Sequence, residues 1–164
     1  EEATMYQMIM EQMESHGYHQ YEISNYAKKG FKSKHNLVYW DNDHYYGFGA
    51  GAHSYINGKR RSNIGPINHY LKAIEKGRLP IREEISLTVK EQMEEEMFLG
   101  LRKTAGVSQK KFYQKFSIDV LEYYREEIEK LIQDGLLQIN EDEIQLTNRG
   151  RMLGNIVFQQ FIKD

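Results

Sequence analysis

The chain has 164 residues, 40% hydrophobic and 28% charged, with a formal net charge of −2. That composition suits one large or two small globular domains and excludes long disorder, collagen and extended coiled coil. Without cysteine the chain has no disulfides, no Cys-ligated zinc, no iron–sulfur ligands and no thiol nucleophile, and no apolar run approaches the ~20 residues of a membrane span.

From Glu2 to Ser15 the residues Met5, Ile9 and Met13, with Met8 beside them, recur at helical spacing, and Gly17 suits a helix end. Tyr18 to Ser24 is short, aromatic and β-prone, as in a strand entered from a helix in an αβ unit whose partner strands lie upstream. Residues 25–36 read as a basic loop with Lys28, Lys29, Lys32 and Lys34, and Leu37–Trp40 as a short aromatic segment. Asn57-Gly58 between β-prone runs predicts a hairpin of 52–56 and 60–63. Pro66 opens a helix with Tyr70, Leu71 and Ile74 on one face, and Pro80 marks a boundary.

Thr88-x-x-Glu91 is a capping box for a helix through Met93, Met97, Phe98 and Leu101. A shorter helix over 108–116 follows Gly106, and a third runs over 119–134, burying Leu121, Tyr124, Ile128, Leu131 and Ile132. Residues 136–139 and 143–146 pair as a hairpin, and Thr147 caps a final helix through Val157 and Phe161. Helices, hairpin and closing helix together predict a winged-helix-like arrangement.

Charge and chemistry are unevenly divided. Residues 1–80 hold ten Lys/Arg against eight Asp/Glu, and residues 81–164 hold twelve against sixteen. All six histidines and nine of the twelve tyrosines lie in the first seventy residues, so groups that ligate or stack belong to the first part. DNA binding is not expected of the second part: the segment 119–134 carries six acids and only Arg125 and Lys130, which would repel phosphates. A packing or protein-interaction role suits it better.

Gly47-Phe48-Gly49-Ala50-Gly51-Ala52 has no strand before it or helix after it, so it is no dinucleotide fingerprint; a tight bend and a close approach to another ligand both remain open. His16 and His19 are separated by the helix-breaking Gly17, and surface or locally bonded histidines are the expected reading. The sharpest constellation is His35-Asn36-Leu37-Val38-Tyr39-Trp40, which holds the only tryptophan. A neutral imidazole ligates heme iron, adjacent Tyr and Trp rings offer flat apolar contacts, and Lys28–Lys34 can meet propionates. The competing reading makes Tyr39 and Trp40 core and His35 a turn cap.

The ordered words Tyr21-Glu22-Ile23-Ser24-Asn25-Tyr26-Ala27, His35-Asn36-x-x-Tyr39-Trp40, Gly47-x-Gly49-x-Gly51-Ala52-His53-Ser54 and Arg61-x-Asn63 resemble the oxygen-independent coproporphyrinogen III oxidase-like radical SAM proteins. Gly100-Leu101-Arg102, Gly106-Val107, Gly135-Leu136-Leu137, Leu146-Thr147-x-x-Gly150-Arg151 and Asn155-x-Val157-Phe158 are similar to that family's C-terminal domain. Within it, the HNxxYW word is similar to the signature of the HemW-type heme chaperones.

The resemblance implies an α/β fold: the C-terminal remnant of a partial (β/α) radical SAM barrel in 1–80, then a mainly helical winged-helix-like domain in 81–164. It makes His35 the candidate heme-iron ligand, with Asn36, Tyr39 and Trp40 supporting it. Gly47, Gly49, Gly51 and Ala52 become a cofactor-proximal loop. The family's CxxxCxxC motif, which holds a [4Fe–4S] cluster and S-adenosylmethionine, has no counterpart here, so the expectation is a cytoplasmic fragment without the cluster half, not competent alone for radical chemistry. Its implied partners are heme or a porphyrin and an acceptor hemoprotein. The alternatives are an anaerobic coproporphyrinogen III oxidase or dehydrogenase of heme biosynthesis, and a protein- or nucleic-acid-interaction module.

Overall fold

A computed structural model describes residues 2–162. Helix α1, Glu2–Ser15, ends where Gly17 takes φ +76° and the amides of Gly17 and Tyr18 return to the carbonyls of Glu14 and Met13. A side chain would be strained there, which is why glycine closes the turn. Its spacing is helical as expected, yet Met5, Met8 and Ile9 are each more than half exposed.

Strands β1 (His19–Glu22) and β2 (Asn25–Ala27) follow as an antiparallel hairpin, with a bulge between Gln20 and Glu22. The expected strand over 18–24 is therefore present, and its partner is the next segment of chain. Ser33 then caps a helix, α2 (Lys34–Trp40), by accepting from the Asn36 amide at 3.3 Å. This corrects the expected loop through residue 36: a serine cap followed by residues without glycine or proline is enough to start a helical turn.

The described residues divide into two compact units, Asp43–Gln92 forming one and the chain on either side of it the other. The smaller unit is an antiparallel sheet of β3 (His53–Ile56), β4 (Lys59–Asn63) and β5 (Ile81–Ser86), in that order, with α3 (Ile67–Glu75) between β4 and β5 in sequence. Asn57 (φ 51°) and Gly58 (φ 70°) make the two-residue turn that pairs Ile56 with Lys59, as Asn-Gly predicts. Strand β5 was not expected, and the boundary drawn at Pro80 falls inside this unit. Ile81-Arg82-Glu83-Glu84-Ile85-Ser86 is rich in charge, and across the sheet Lys59 and Arg61 both bind Glu84. These two bases hold the Glu84 carboxyl below the ordinary carboxylate range.

Helix α4 (Val89–Gly100) opens on the predicted capping box: the Glu91 amide donates to Thr88 Oγ1 at 3.2 Å and the Thr88 amide to Glu91 Oε2 at 2.7 Å. Then come β6 (Val107–Ser108), α5 (Gln109–Phe116), α6 (Val120–Tyr123), α7 (Arg125–Gln133), β7 (Leu137–Asn140), β8 (Glu143–Leu146), α8 (Asn148–Met152) and α9 (Gly154–Gln159). The strands form an antiparallel sheet in the order β6-β8-β7. Between α4 and the closing helices the chain thus has the predicted hairpin and helical segments, together with a short strand, β6, that was not expected and that joins the hairpin's sheet.

Two helices that periodicity reads as continuous are broken, at Tyr124 (φ −110°) and at Leu153 (φ −111°). Tyr124 is fully buried, edge-on to Phe161 at 5.2 Å, and its amide and carbonyl still bond the Val120 carbonyl and the Ile128 amide across the break. The core of this unit gathers Met97, Leu101, Phe112, Ile144, Val157 and Phe161, all 0% exposed. Ile132, expected inside, is 38% exposed, whereas Ile128 and Leu131 of the same segment are buried as expected.

Candidate functional site

The HNxxYW word lies on α2 as two pairs at i, i+4 spacing, offset by one residue, so they occupy adjacent faces. His35 and Tyr39 form the first pair. Their rings meet edge-on with centroids 5.0 Å apart, and His35 Nε2 lies 3.1 Å from the Tyr39 hydroxyl. His35 is exposed and Tyr39 half-buried. Asn36 and Trp40 form the second pair; the Asn36 amide is the one that Ser33 caps.

Trp40 carries the Arg102 guanidinium over its ring, 4.4 Å from the centroid. Arg102 in turn donates to Glu22 Oε2 at 3.5 Å. Glu22 is completely buried, and its other oxygen accepts from the Ser24 amide (2.8 Å) and from Asn25 Nδ2. Three of the recognised words thus meet in one stack of carboxylate, guanidinium and indole. The C-terminal end of α2 is held as well: Lys103 binds the Asp41 carboxylate, Lys115 the Asp41 carbonyl (3.0 Å), and Asn42 reaches Glu96 (3.3 Å). Glu22 and Arg102 were visible in the sequence only as letters of separate words; nothing in their spacing announces the pairing.

The glycine loop belongs to the smaller unit. A Cβ at Gly47 would stand 2.1 Å from the His53 carbonyl oxygen, so the close approach is to the chain's own strand. Gly49 (φ 101°) and Gly51 (φ 71°) turn the backbone through the left-handed region. The bend is tied by side chains the sequence did not single out for this: Ser54 Oγ accepts from the Gly47 amide (2.9 Å), and Asn63 Nδ2 donates to the Gly49 carbonyl (2.9 Å). Ala52 accepts the Asn63 amide at 2.8 Å. The loop presents Tyr46 and Phe48, stacked at 6.2 Å and 69% and 88% exposed.

Three of the other five histidines bond locally. His16 Nδ1 lies 2.7 Å from the Gln12 carbonyl, His19 Nδ1 2.9 Å from Glu14, and His44 accepts the Asn57 amide at 3.1 Å. Among the described residues no three His, Cys, Asp or Glu side chains cluster as a metal site, and no helix is long and apolar enough to cross a membrane.

Comparison with known proteins agrees with the words and the fold. Residues 87–153 match the family model of the HemN C-terminal domain. The chain is 50% identical to the heme chaperone HemW of Bacillus subtilis, over 99% of this chain and 43% of that protein. It is 48% identical to the heme chaperone HemW of Lactococcus lactis, over 99% and 42% respectively. The chain therefore spans less than half the length of these relatives. In structure it is similar to the coproporphyrinogen III oxidase HemN of Escherichia coli, a radical SAM enzyme, with a TM-score of 0.69 and 18% identity over 94% of this chain and 39% of that one. With motif words, domain match and fold in agreement, the chain belongs to the HemN and HemW family of oxygen-independent coproporphyrinogen III oxidase-like radical SAM proteins.

Proposed function

We propose that the chain is the heme-contacting part of a heme chaperone that passes heme to an acceptor hemoprotein. The observation that carries this reading is the exposed His35–Tyr39 face of α2, built on a segment anchored from its other side by Trp40, Arg102 and Glu22. An imidazole at the surface, oriented by a hydroxyl on one nitrogen, keeps a second nitrogen for a metal. Heme iron, when bound, accepts an axial nitrogen; every other part of the task falls to the chain's side chains.

In this reading His35 supplies the lone pair from Nδ1 while Nε2–H is held by Tyr39. The Tyr39 ring gives a flat apolar contact, and the exposed Lys28, Lys29, Lys32 and Lys34 meet carboxylates. Asn36 and Trp40 act by fixing the helix. On this reading residues 87–153, which match the HemN C-terminal domain, belong to that domain and the residues before them to the end of the barrel, with the Gly47–Ala52 loop on the cofactor side. The chain has no cysteine to hold a [4Fe–4S] cluster, so the cluster and S-adenosylmethionine belong on this reading to the remainder of the full-length protein, in the cytoplasm.

In the heme-loaded full-length protein, His35→Ala should remove or shift the Soret band. Trp40→Phe should weaken binding without changing the ligation spectrum, and His16→Ala or His19→Ala should do neither. Unchanged spectra and affinity in a folded His35→Ala protein would refute the assignment. The likeness to HemN favours a second reading, anaerobic coproporphyrinogen III oxidation, which turnover of coproporphyrinogen by the reconstituted full-length protein would establish instead.

A further inference from the structure

Four of the family words leave residues with no part in the site above: Ile23, Arg102 by its unused donors, Arg151 and Asn155. All four line one open cleft of about 260 Å³. Its remaining walls are mostly apolar, and Met152, Leu153 and Ile156 expose their side chains there, 36–53% accessible. Gly154 sits buried between Phe158 and Ile23, where a Cβ would stand 3.2–3.3 Å from each, so glycine leaves the two walls their spacing.

The cleft has more positive charge than the fold neutralises. Arg102 and Arg151 both line it. Glu22 answers Arg102 alone, at 3.5 Å, and Arg102 Nε is shielded from solvent without a hydrogen-bond partner. Among the described residues Arg151 pairs with no carboxylate: one of its five N–H groups donates to the neutral Gln20 Oε1 at 3.2 Å. Two guanidinium forks with spare donors in one small cleft match a carboxylate, and the apolar walls match a hydrocarbon body better than a phosphate ester. The volume is slightly under the range of drug-sized ligand sites, about 300–1,000 Å³, so it suits a small acid or the acid-bearing corner of a larger molecule.

We propose that this cleft binds a carboxylate carried on an apolar body, with Arg102 and Arg151 on the anion and Ile23, Ile156 and Phe158 on the hydrocarbon. The site stands independently of the heme reading, since none of its geometry involves His35. Arg102 also stacks on the chain's only tryptophan, so Trp40 emission reports occupancy.

The test is titration of the chain with 3-phenylpropionate, followed by Trp40 fluorescence and calorimetry. Saturable binding is expected, with 3-phenylpropanamide and Arg151→Gln each about tenfold weaker or more. Arg151 is half-exposed, so this variant should retain the fold, and Ile156→Asn, on the exposed rim, should weaken the acid while leaving the charge in place. Equal binding of acid and amide, wild-type affinity in Arg151→Gln, or equal displacement by inorganic phosphate would overturn the proposal. Competition by heme but not by heme dimethyl ester would assign the carboxylate to a porphyrin. Absence of competition would assign it to a separate small acid, and either result upholds the site. If His35→Ala leaves heme spectra unchanged, the heme reading fails while phenylpropionate binding still decides this one.

Discussion

Replacing Arg102 by glutamine tests whether α2 is positioned by the stack beneath Trp40. The substitution removes a guanidinium 4.4 Å from the indole centroid, an interaction worth about 0.5–1 kcal/mol at a partly exposed site. It also leaves the Glu22 carboxylate, 0% exposed, with only two neutral donors, from Ser24 and Asn25. Removing one partner of a buried ion pair costs about 3–5 kcal/mol; with Arg102 itself 21% exposed and the contact at 3.5 Å, about 2 kcal/mol is the appropriate share. The sum is about 2.5–3 kcal/mol, or roughly 5–12 °C in Tm for a chain of this size. Urea unfolding read by Trp40 emission and by circular dichroism measures it. The double variant Glu22→Gln/Arg102→Gln should recover about 1 kcal/mol or more, because no unpaired charge is then buried. A loss under about 1 kcal/mol with unaltered emission, or a double variant no better than the single one, would refute the reasoning.

Gly47→Ala should destabilise the smaller unit by about 1–3 kcal/mol, since the new methyl meets the backbone of His53 rather than a movable side chain. Faster amide exchange at Tyr55, which donates to the Tyr45 carbonyl at 3.0 Å, would register it, and Gly65→Ala, with open space around it, is the neutral control. Glu91 is held below the usual carboxylate range by the Thr88 amide and hydroxyl. Its folded value is lower than its unfolded one, so the capping box adds stability above the ordinary Glu range of about 4.3, lost as pH falls through the folded value. Glu91→Gln should therefore cost stability at neutral pH and converge with the parent in acid, as measured by thermal unfolding from pH 7 downward.

Local chemistry was the most legible part of the sequence. The Asn57-Gly58 turn, the Thr88/Glu91 box, the Thr147 cap and the helix-ending Gly17 all lie where short-range rules put them, because each depends on residues within four positions. Strand β5 was not legible: its charged residues find partners only across the sheet, where Glu84 meets Lys59 and Arg61, and no short-range rule marks that pairing. The break at Tyr124 escaped for a related reason, since only the packed core decides that its ring points at Phe161. At the candidate site the words identified the residues but not their division of labour. Periodicity could have separated His35 and Tyr39 from Asn36 and Trp40 had α2 been read as a helix. The Glu22–Arg102 pairing spans eighty positions and needs the fold.

Helix α2 is seven residues long and has no fully buried side chain. Isolated helices shorter than about 12–15 residues barely form in water, so α2 persists only while its docking contacts hold. Local opening of α2 should therefore cost the loss of these docking contacts and less than unfolding of the core. The amides of Leu37 and Asp41, which close its hydrogen bonds to Ser33 and Leu37, should exchange with solvent far faster than those of α4. A ligand gripped on this turn could leave by loosening a few residues, with the core of the protein undisturbed.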